Sequence, residues 1–253
     1  MTAWQPSPRP GLARLHQLVL ALVFLTRLPL ARLLPGHPMT LGAGAWAFPL
    51  AGALVGALAS VPLLLVQPPL LAAGLSLALS VCLTGALHED ALADFADAHG
   101  GGDREARLRI MRDSRIGSYG VMALIVTSLL RVAALAVLGP AALIASAAGG
   151  RAAIVVAMRV VPPARPDGLG RAAGRPGHGA LAAALLIALA ALLPAGRDAV
   201  PALALGAAAA GLTMRRAQNL INGQSGDVLG TVSVLTETAM MTGFAMTAPA
   251  ALF

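Results

Sequence analysis

Seven stretches of this chain are apolar for long enough to cross a lipid bilayer, and nothing else in it constrains the fold as much. They run over 43–66, 69–87, 119–138, 141–161, 179–194, 199–214 and 230–252. A spanning helix needs about 20 predominantly apolar residues. The fifth and sixth are short and Ala-rich, so their limits are the least defined. Only 11% of the 253 residues are charged, against roughly 25% in a soluble domain. The polar stretches are loops, too short for a separate soluble domain. The expected fold is all-α: a polytopic integral membrane helix bundle forming one domain over 1–253. It has about seven spans plus an N-terminal interfacial or re-entrant helix over 12–34. That first helix lacks the small-residue cleavage site of a signal peptide, and Arg27 and Pro29 interrupt it as a simple span. A true span is the competing reading.

Charge gives the orientation. All eighteen basic residues are Arg. Four groups precede the first span or follow the second, fourth and sixth, so they share one side, while the opposite side carries only Arg197. By the positive-inside rule the rich side is cytoplasmic. It holds the segments 88–118, 159–178 and 215–229. The sequence pI near 11.5 then reports orientation rather than nucleic-acid binding, and 3% aromatic residues leave few platforms for stacked bases. The lone Cys82 excludes an intramolecular disulfide, and its apolar run predicts a buried, inert thiol.

Seven of the eleven acids lie between 88 and 117: Glu89, Asp90, Asp94, Asp97, Asp103, Glu105 and Asp113. On a helix, Asp90, Asp94 and Asp97 fall at i, i+4 and i+7, on one face. Carboxylates so placed repel one another unless a cation lies between them, and hard oxygen ligands suit Mg²⁺. Glu89 belongs to the same candidate metal set. Asp103 has the pattern of a helix N-cap. Arg112, Asp113, Ser114 and Arg115 follow a Gly-rich turn, and Arg forks beside carboxylates suit a phosphate ligand. A solvated loop obeying the positive-inside rule accounts for these Arg but not for the Asp spacing.

Two further loops add polar groups. Arg165 and Asp167 lie in a Pro- and Gly-rich segment that is also readable as an ordinary loop. Asn222, Gln224, Ser225, Asp227 and Thr231 cluster at a span entrance, where Asp227 with Asn222 would complete a cation site opposite the Asp stripe. Glu237 lies inside the last span, so a partner for it is required. Arg131 and Arg151 lie inside spans as well. Snorkelling is one outlet for Arg131, whereas Arg151 is the better candidate to face a polar site. His88 reads either as a proton carrier or as a structural imidazole. Gly52 and Gly56 mark close helix packing.

The stretch GALHEDALADFADAHGGGDREARLRIMRDSRIGSYGVMAL closely resembles the main motif of the cobalamin synthase family, the adenosylcobinamide-GDP ribazoletransferases. FLTRLPLA at 24–31, GGRAAIVVAMRVVPPARPDGLG at 149–170 and NGQSGDVLGTVSVLTE at 222–237 continue it in the family's order. The resemblance implies a multi-pass enzyme of the bacterial inner membrane with its active site facing the cytoplasm. It would join adenosylcobinamide-GDP to α-ribazole, or to α-ribazole 5′-phosphate, release GMP and require Mg²⁺. His88, Asp90, Asp94 and Asp97 fall on the family's acidic motif, and Asp113, Ser114 and Arg115 on its DSR element. Arg27 lies in the FLTRLP element, and Arg165, Asp167, Asp227 and Glu237 match as well. Ala91 and Ala98 stand where the family usually has glycine. A homo-oligomer, or contact with other corrinoid-assembly enzymes, is compatible with this reading.

Two other classes are weaker fits. Another Mg²⁺-dependent intramembrane transferase, such as a CDP-alcohol phosphotransferase, would show an AR element that is absent at the required spacing. An aromatic prenyltransferase belongs to the same class of alternatives. An ion-coupled transporter would place its acids near the midplane, often in repeated halves.

Overall fold

The structure is a computed structural model that describes residues 10–166 and 168–248. Among these residues the regular structure is helical, apart from one isolated parallel bridge between Pro163 and Gln224. Helix α1 covers Pro10–Leu25 and α2 Leu41–Leu65, the latter with a short 3-10 turn inside. Next come α3 (Pro69–Thr84), α4 (Leu87–Asp97), α5 (Arg104–Ile110) and α6 (Ser118–Leu135). They are followed by α7 (Pro140–Val160), α8 (His178–Leu192), α9 (Ala199–Ile221) and α10 (Gly226–Ala245), with a single helical turn at Leu169–Ala172 between α7 and α8.

Among the described residues, five apolar helical stretches are long enough to cross a membrane, or six if α3 and the bent continuation of α4 count as one span. The expected fifth and sixth spans are α8 and α9, which with the turn between them make an apolar stretch of 44 residues, His178–Ile221. At 1.5 Å per residue it would be about 66 Å long, twice the bilayer core. It is interrupted at Gly196, whose φ of 54° and ψ of −130° are not helical. The chain therefore turns back there: Leu185 and Leu189 of α8 share a cavity with Leu203 and Met214 of α9, and His178 and Ile221 both lie at the Arg-rich end, so the two expected spans are two helices side by side.

Helices α7 and α10 pack together at the centre of the bundle. Against α7 lie α2 and α8; against α10 lie α4, α6 and α9. Lipid tails are as apolar as leucine, so helices in a bilayer associate through close contact of small residues. Gly52 and Gly56 show this: a Cβ at Gly56 would lie 2.8 Å from the Cα of Ile144 on α7. Leu70, Leu71, Leu129, Leu186 and Val200 point outward, as a lipid-facing surface requires. Cys82 also points outward. The expected buried thiol is corrected to a surface one, because an apolar run in a membrane helix does not reveal which side faces lipid.

The first helix ends at Leu25, well before residue 34, and only a 3-10 turn at Ala31–Leu33 follows Pro29. Helix α3 ends at Gly85 and Ala86, both left-handed with φ of 66° and 57°. The following helix departs at 89°. The acidic segment is consequently helical, and α4 packs between α6 and α10 with Leu92 and Phe95 buried. The loop expected at 215–229 shrinks to four residues: α9 continues through Arg215 and Arg216 to Ile221, where Asn222 (φ 57°) caps it. The last turn of the 230–252 span beyond residue 248 lies outside the described residues.

The three Arg-rich segments meet at one end of the bundle, and α5 ties them together. Asp103 caps α5 by accepting from the Ala106 N–H at 2.7 Å, as its position in the sequence predicts. Arg104 donates to the carbonyls of Ile221 at 3.1 Å and Ala164 at 2.6 Å. Arg107 donates to the Leu220 carbonyl at 3.2 Å. The Pro163–Gln224 bridge joins the other two segments: Ala164 N–H donates to the Gln224 carbonyl, and Gln224 N–H to that of Pro162, both at 2.8 Å.

Candidate functional site

Helix α4 presents the acids as their spacing predicts, but the three members of the stripe have different surroundings. Asp90 is exposed and Asp94 half-buried. Both lie within the electrostatic field of Asp227, which begins α10. Asp227 also faces the positive charge of Arg165. Carboxylates from two helices distant in sequence thus converge on one side of α4. Asp97 has another geometry. Its two oxygens accept from the N–H groups of Gly117 at 2.7 Å and Gly120 at 2.8 Å. It holds the N-terminus of α6, whose orphan amides need acceptors.

Two features hold α4 in place. Thr231 on α10 donates to the Ala91 carbonyl at 2.9 Å. The Ala91 methyl also occupies the space that a Cβ on Gly230 would need. The methyl at position 91 is thus accommodated by a glycine across the interface. Ala98 is fully buried in the apolar core.

Deeper in the bundle the remaining ionic groups form a chain across four helices. Glu89 accepts from Arg131 at 2.7 Å, and Arg131 donates also to Glu237 at 2.7 Å. The second oxygen of Glu237 pairs with Arg151. Glu237 is 1% exposed, Arg131 3% and Arg151 2%. Arg131 is therefore buried and paired rather than snorkelling. Alternating signs let each desolvated charge meet its opposite, without which burial would be prohibitive. Buried His88 lies in the field of Arg151 and Arg131, and its Nε2 has no hydrogen-bond partner among the described residues.

Next to Asp227 is a cavity of about 220 Å³, walled by Arg112, Arg165, Arg171, Gln224 and Ser225. Arg165 is anchored to the Leu108 carbonyl at 2.8 Å. Ser225 caps α10 and donates to Asp227 at 3.2 Å. Asp113 and Arg115 pair with each other at 2.6 Å, with the Arg115 side chain 87% exposed. The hydrogen bonds from Arg115 hold the Asp113 carboxyl down to about 2. Ser114 is exposed beside them. Asn222 is exposed at the end of α9, which its left-handed backbone caps. Arg27 lies against Gly85 at the α3–α4 bend. Asp167 lies outside the described residues.

Sequence reasoning missed Arg104 and Arg107, which gather the loops, and left Gln224 without a role. The two arginines each reach a backbone carbonyl of α9 more than a hundred residues away, and no local pattern signals such partners. The i, i+3 spacing of the two Arg on a short helix was the only available cue. Among the described residues, no three His, Cys, Asp or Glu side chains are already close enough to enclose a metal ion.

Fold and site together define a polytopic membrane protein that gathers carboxylates and guanidinium groups at one end of its helices, a setting for a polyanionic ligand. A family model described as cobalamin-5-phosphate synthase matches residues 17–245, and the chain belongs to that family. The adenosylcobinamide-GDP ribazoletransferase of Azorhizobium caulinodans is 46% identical over 218 residues, covering 79% of this chain and 82% of that protein. Proteins of the same name are similar in Bradyrhizobium diazoefficiens, at 43% over 225 residues (83% and 86%), and in Sinorhizobium medicae, at 41% over 247 residues (89% and 94%). No solved structure matches with significance.

Proposed function

We propose that this protein transfers the adenosylcobinamide phosphate group of adenosylcobinamide-GDP to α-ribazole or α-ribazole 5′-phosphate, releasing GMP and forming adenosylcobalamin or its 5′-phosphate. The observation that carries the reading is the convergence of Asp90 and Asp94 on α4 with Asp227 on α10, beside the cavity walled by Arg112, Arg165 and Arg171. A diphosphate needs positive forks for its oxygens, and the arginines supply them. A ribose hydroxyl must approach the phosphorus that bears the cobinamide, in line with the departing GMP oxygen. A carboxylate of the cluster accepts the hydroxyl proton as the new P–O bond forms and the old one breaks.

The donor set also fits Mg²⁺. Its groups are hard carboxylate oxygens of like charge that no neighbouring cation pairs fully. Mg²⁺ usually keeps several waters and is held by one or two carboxylates plus substrate phosphate. Asp90, Asp94 and Asp227 would hold it, and it would neutralise charge developing on the phosphoryl oxygens. Asp97 supports the site indirectly by holding α6, and the Glu89–Arg131–Glu237–Arg151 chain fixes α4 against α6, α7 and α10.

The Arg-rich end faces the cytoplasm of a bacterial inner membrane on this reading, since Arg concentrates there. Water-soluble donor and acceptor reach the site from that side. Nucleic acid is not among the partners. Membranes containing the protein, given adenosylcobinamide-GDP, α-ribazole and Mg²⁺, should release GMP with a matching amount of complete corrinoid. GMP release that does not depend on α-ribazole would reject the assignment in favour of hydrolysis.

A further inference from the structure

We propose that a second cavity, bounded by Arg159, Arg171 and Arg175, binds the 5′-phosphate of the acceptor and so distinguishes α-ribazole 5′-phosphate from α-ribazole. This rests on the transferase reading above. The cavity measures about 240 Å³, and among the described residues its charged lining is these three arginines, with no acid. It adjoins the cavity beside Asp227, and Gly170, Arg171 and Gln224 line both. The dividing wall is thin: a Cβ at Gly170 would lie 2.8 Å from Oε1 of Gln224. Two anionic groups of one reacting pair can therefore sit on either side of a single buried glutamine, which is 3% exposed.

The guanidinium groups are positioned before any ligand arrives. A terminal nitrogen of Arg159 meets His178 Nε2 at 2.7 Å. Arg175 Nε donates to the Arg159 carbonyl at 2.9 Å. Arg159 Nε is buried without a hydrogen-bond partner among the described residues. A buried donor lacking an acceptor is unfavourable, and an anion in the cavity would relieve it.

The two cavities differ in the charge they are built for. The one beside Asp227 mixes acids with arginines, as a metal-bridged diphosphate requires. The other carries arginines and no acid among the described residues, which suits a phosphate monoester dianion that needs no metal. The two acceptors differ only in that group, so this cavity is where one can be preferred over the other.

The test compares kcat/KM for both acceptors, at saturating donor and Mg²⁺, in the wild-type protein and in Arg159→Gln and Arg175→Gln. The value for α-ribazole 5′-phosphate should fall roughly 10- to 100-fold, while that for α-ribazole stays within about threefold. Turnover of α-ribazole also reports that each variant is folded. Inorganic phosphate should compete with the phosphorylated acceptor in the wild type and lose that effect in the variants. Equal losses with both acceptors would assign the cavity to the donor or to structure and overturn the proposal, and so would unchanged kinetics. A wild-type protein that uses neither acceptor would instead overturn the transferase reading itself, and this proposal with it.

Discussion

Replacing Asp94 by Asn should lower kcat/KM for the transfer by roughly 10²- to 10⁴-fold, the range expected when a positioned acid–base or electrostatic group is removed. Asp94 is the member of the stripe that senses Asp90, Asp227 and Asp97 together. Its carboxyl therefore lies among the acids that would hold a cation against a diphosphate. The substitution keeps the side chain's size and removes its charge, so α4 should stay packed between α6 and α10. Asp97→Ala should behave differently. Without its carboxylate the Gly117 and Gly120 amides lose their acceptor, and leaving a buried donor unpaired costs about 1–3 kcal/mol. Loss of thermal stability in detergent should accompany any loss of activity there. Thermal unfolding and initial rates on the same preparations separate the two cases. An Asp94→Asn protein within a few-fold of wild type would remove Asp94 from the reaction.

Glu237→Ala should destabilise the protein by about 3–5 kcal/mol, the range for removing one partner of a buried ion pair. In the native chain Glu89, Arg131, Glu237 and Arg151 alternate in sign. Without Glu237, Arg151 loses its carboxylate and Arg131 keeps only Glu89, so an uncompensated positive charge remains deep in the bundle. The double variant Glu237→Leu with Arg151→Met removes both signs and leaves Arg131 paired with Glu89. It should recover more than half of the lost stability, as measured by thermal unfolding. A single variant as stable as wild type, or a double variant no better than the single, would mean that the chain of charges does not hold the helices together.

The membrane bundle was legible because run length alone identifies an apolar helix, and the 4–3 spacing of Asp90, Asp94 and Asp97 placed them on one helical face. The same pattern could not separate Asp97 from its neighbours. Its role depends on the α6 amides twenty residues away, and spacing along a helix says nothing of what stands opposite. The need of Glu237 for a partner was readable from its depth; that it joins Arg131 and Arg151 was not, since those contacts close between separate spans. The right-angled bend after α3 was hidden because Ala86, a residue that rarely adopts φ above zero, occupies one of its two left-handed positions. Arg215 and Arg216 looked like a loop because charge was taken as the end of a span, whereas helical hydrogen bonding continues past the apolar boundary into water.

The central claim is that α4 and α10 together build one cation-dependent phosphoryl-transfer site, and the dependence of GMP release on Mg²⁺ in Asp227→Asn tests it most directly. Asp227 lies 130 residues from the main acidic motif, yet shares its field with Asp90 and Asp94. With one carboxylate of the shared set gone, the Mg²⁺ concentration for half-maximal GMP release should rise at least roughly tenfold, since each unit of lost metal affinity appears directly in that titration. Asp90→Asn should shift it in the same direction. A wild-type Mg²⁺ requirement in Asp227→Asn, or full turnover in the presence of EDTA, would contradict the account.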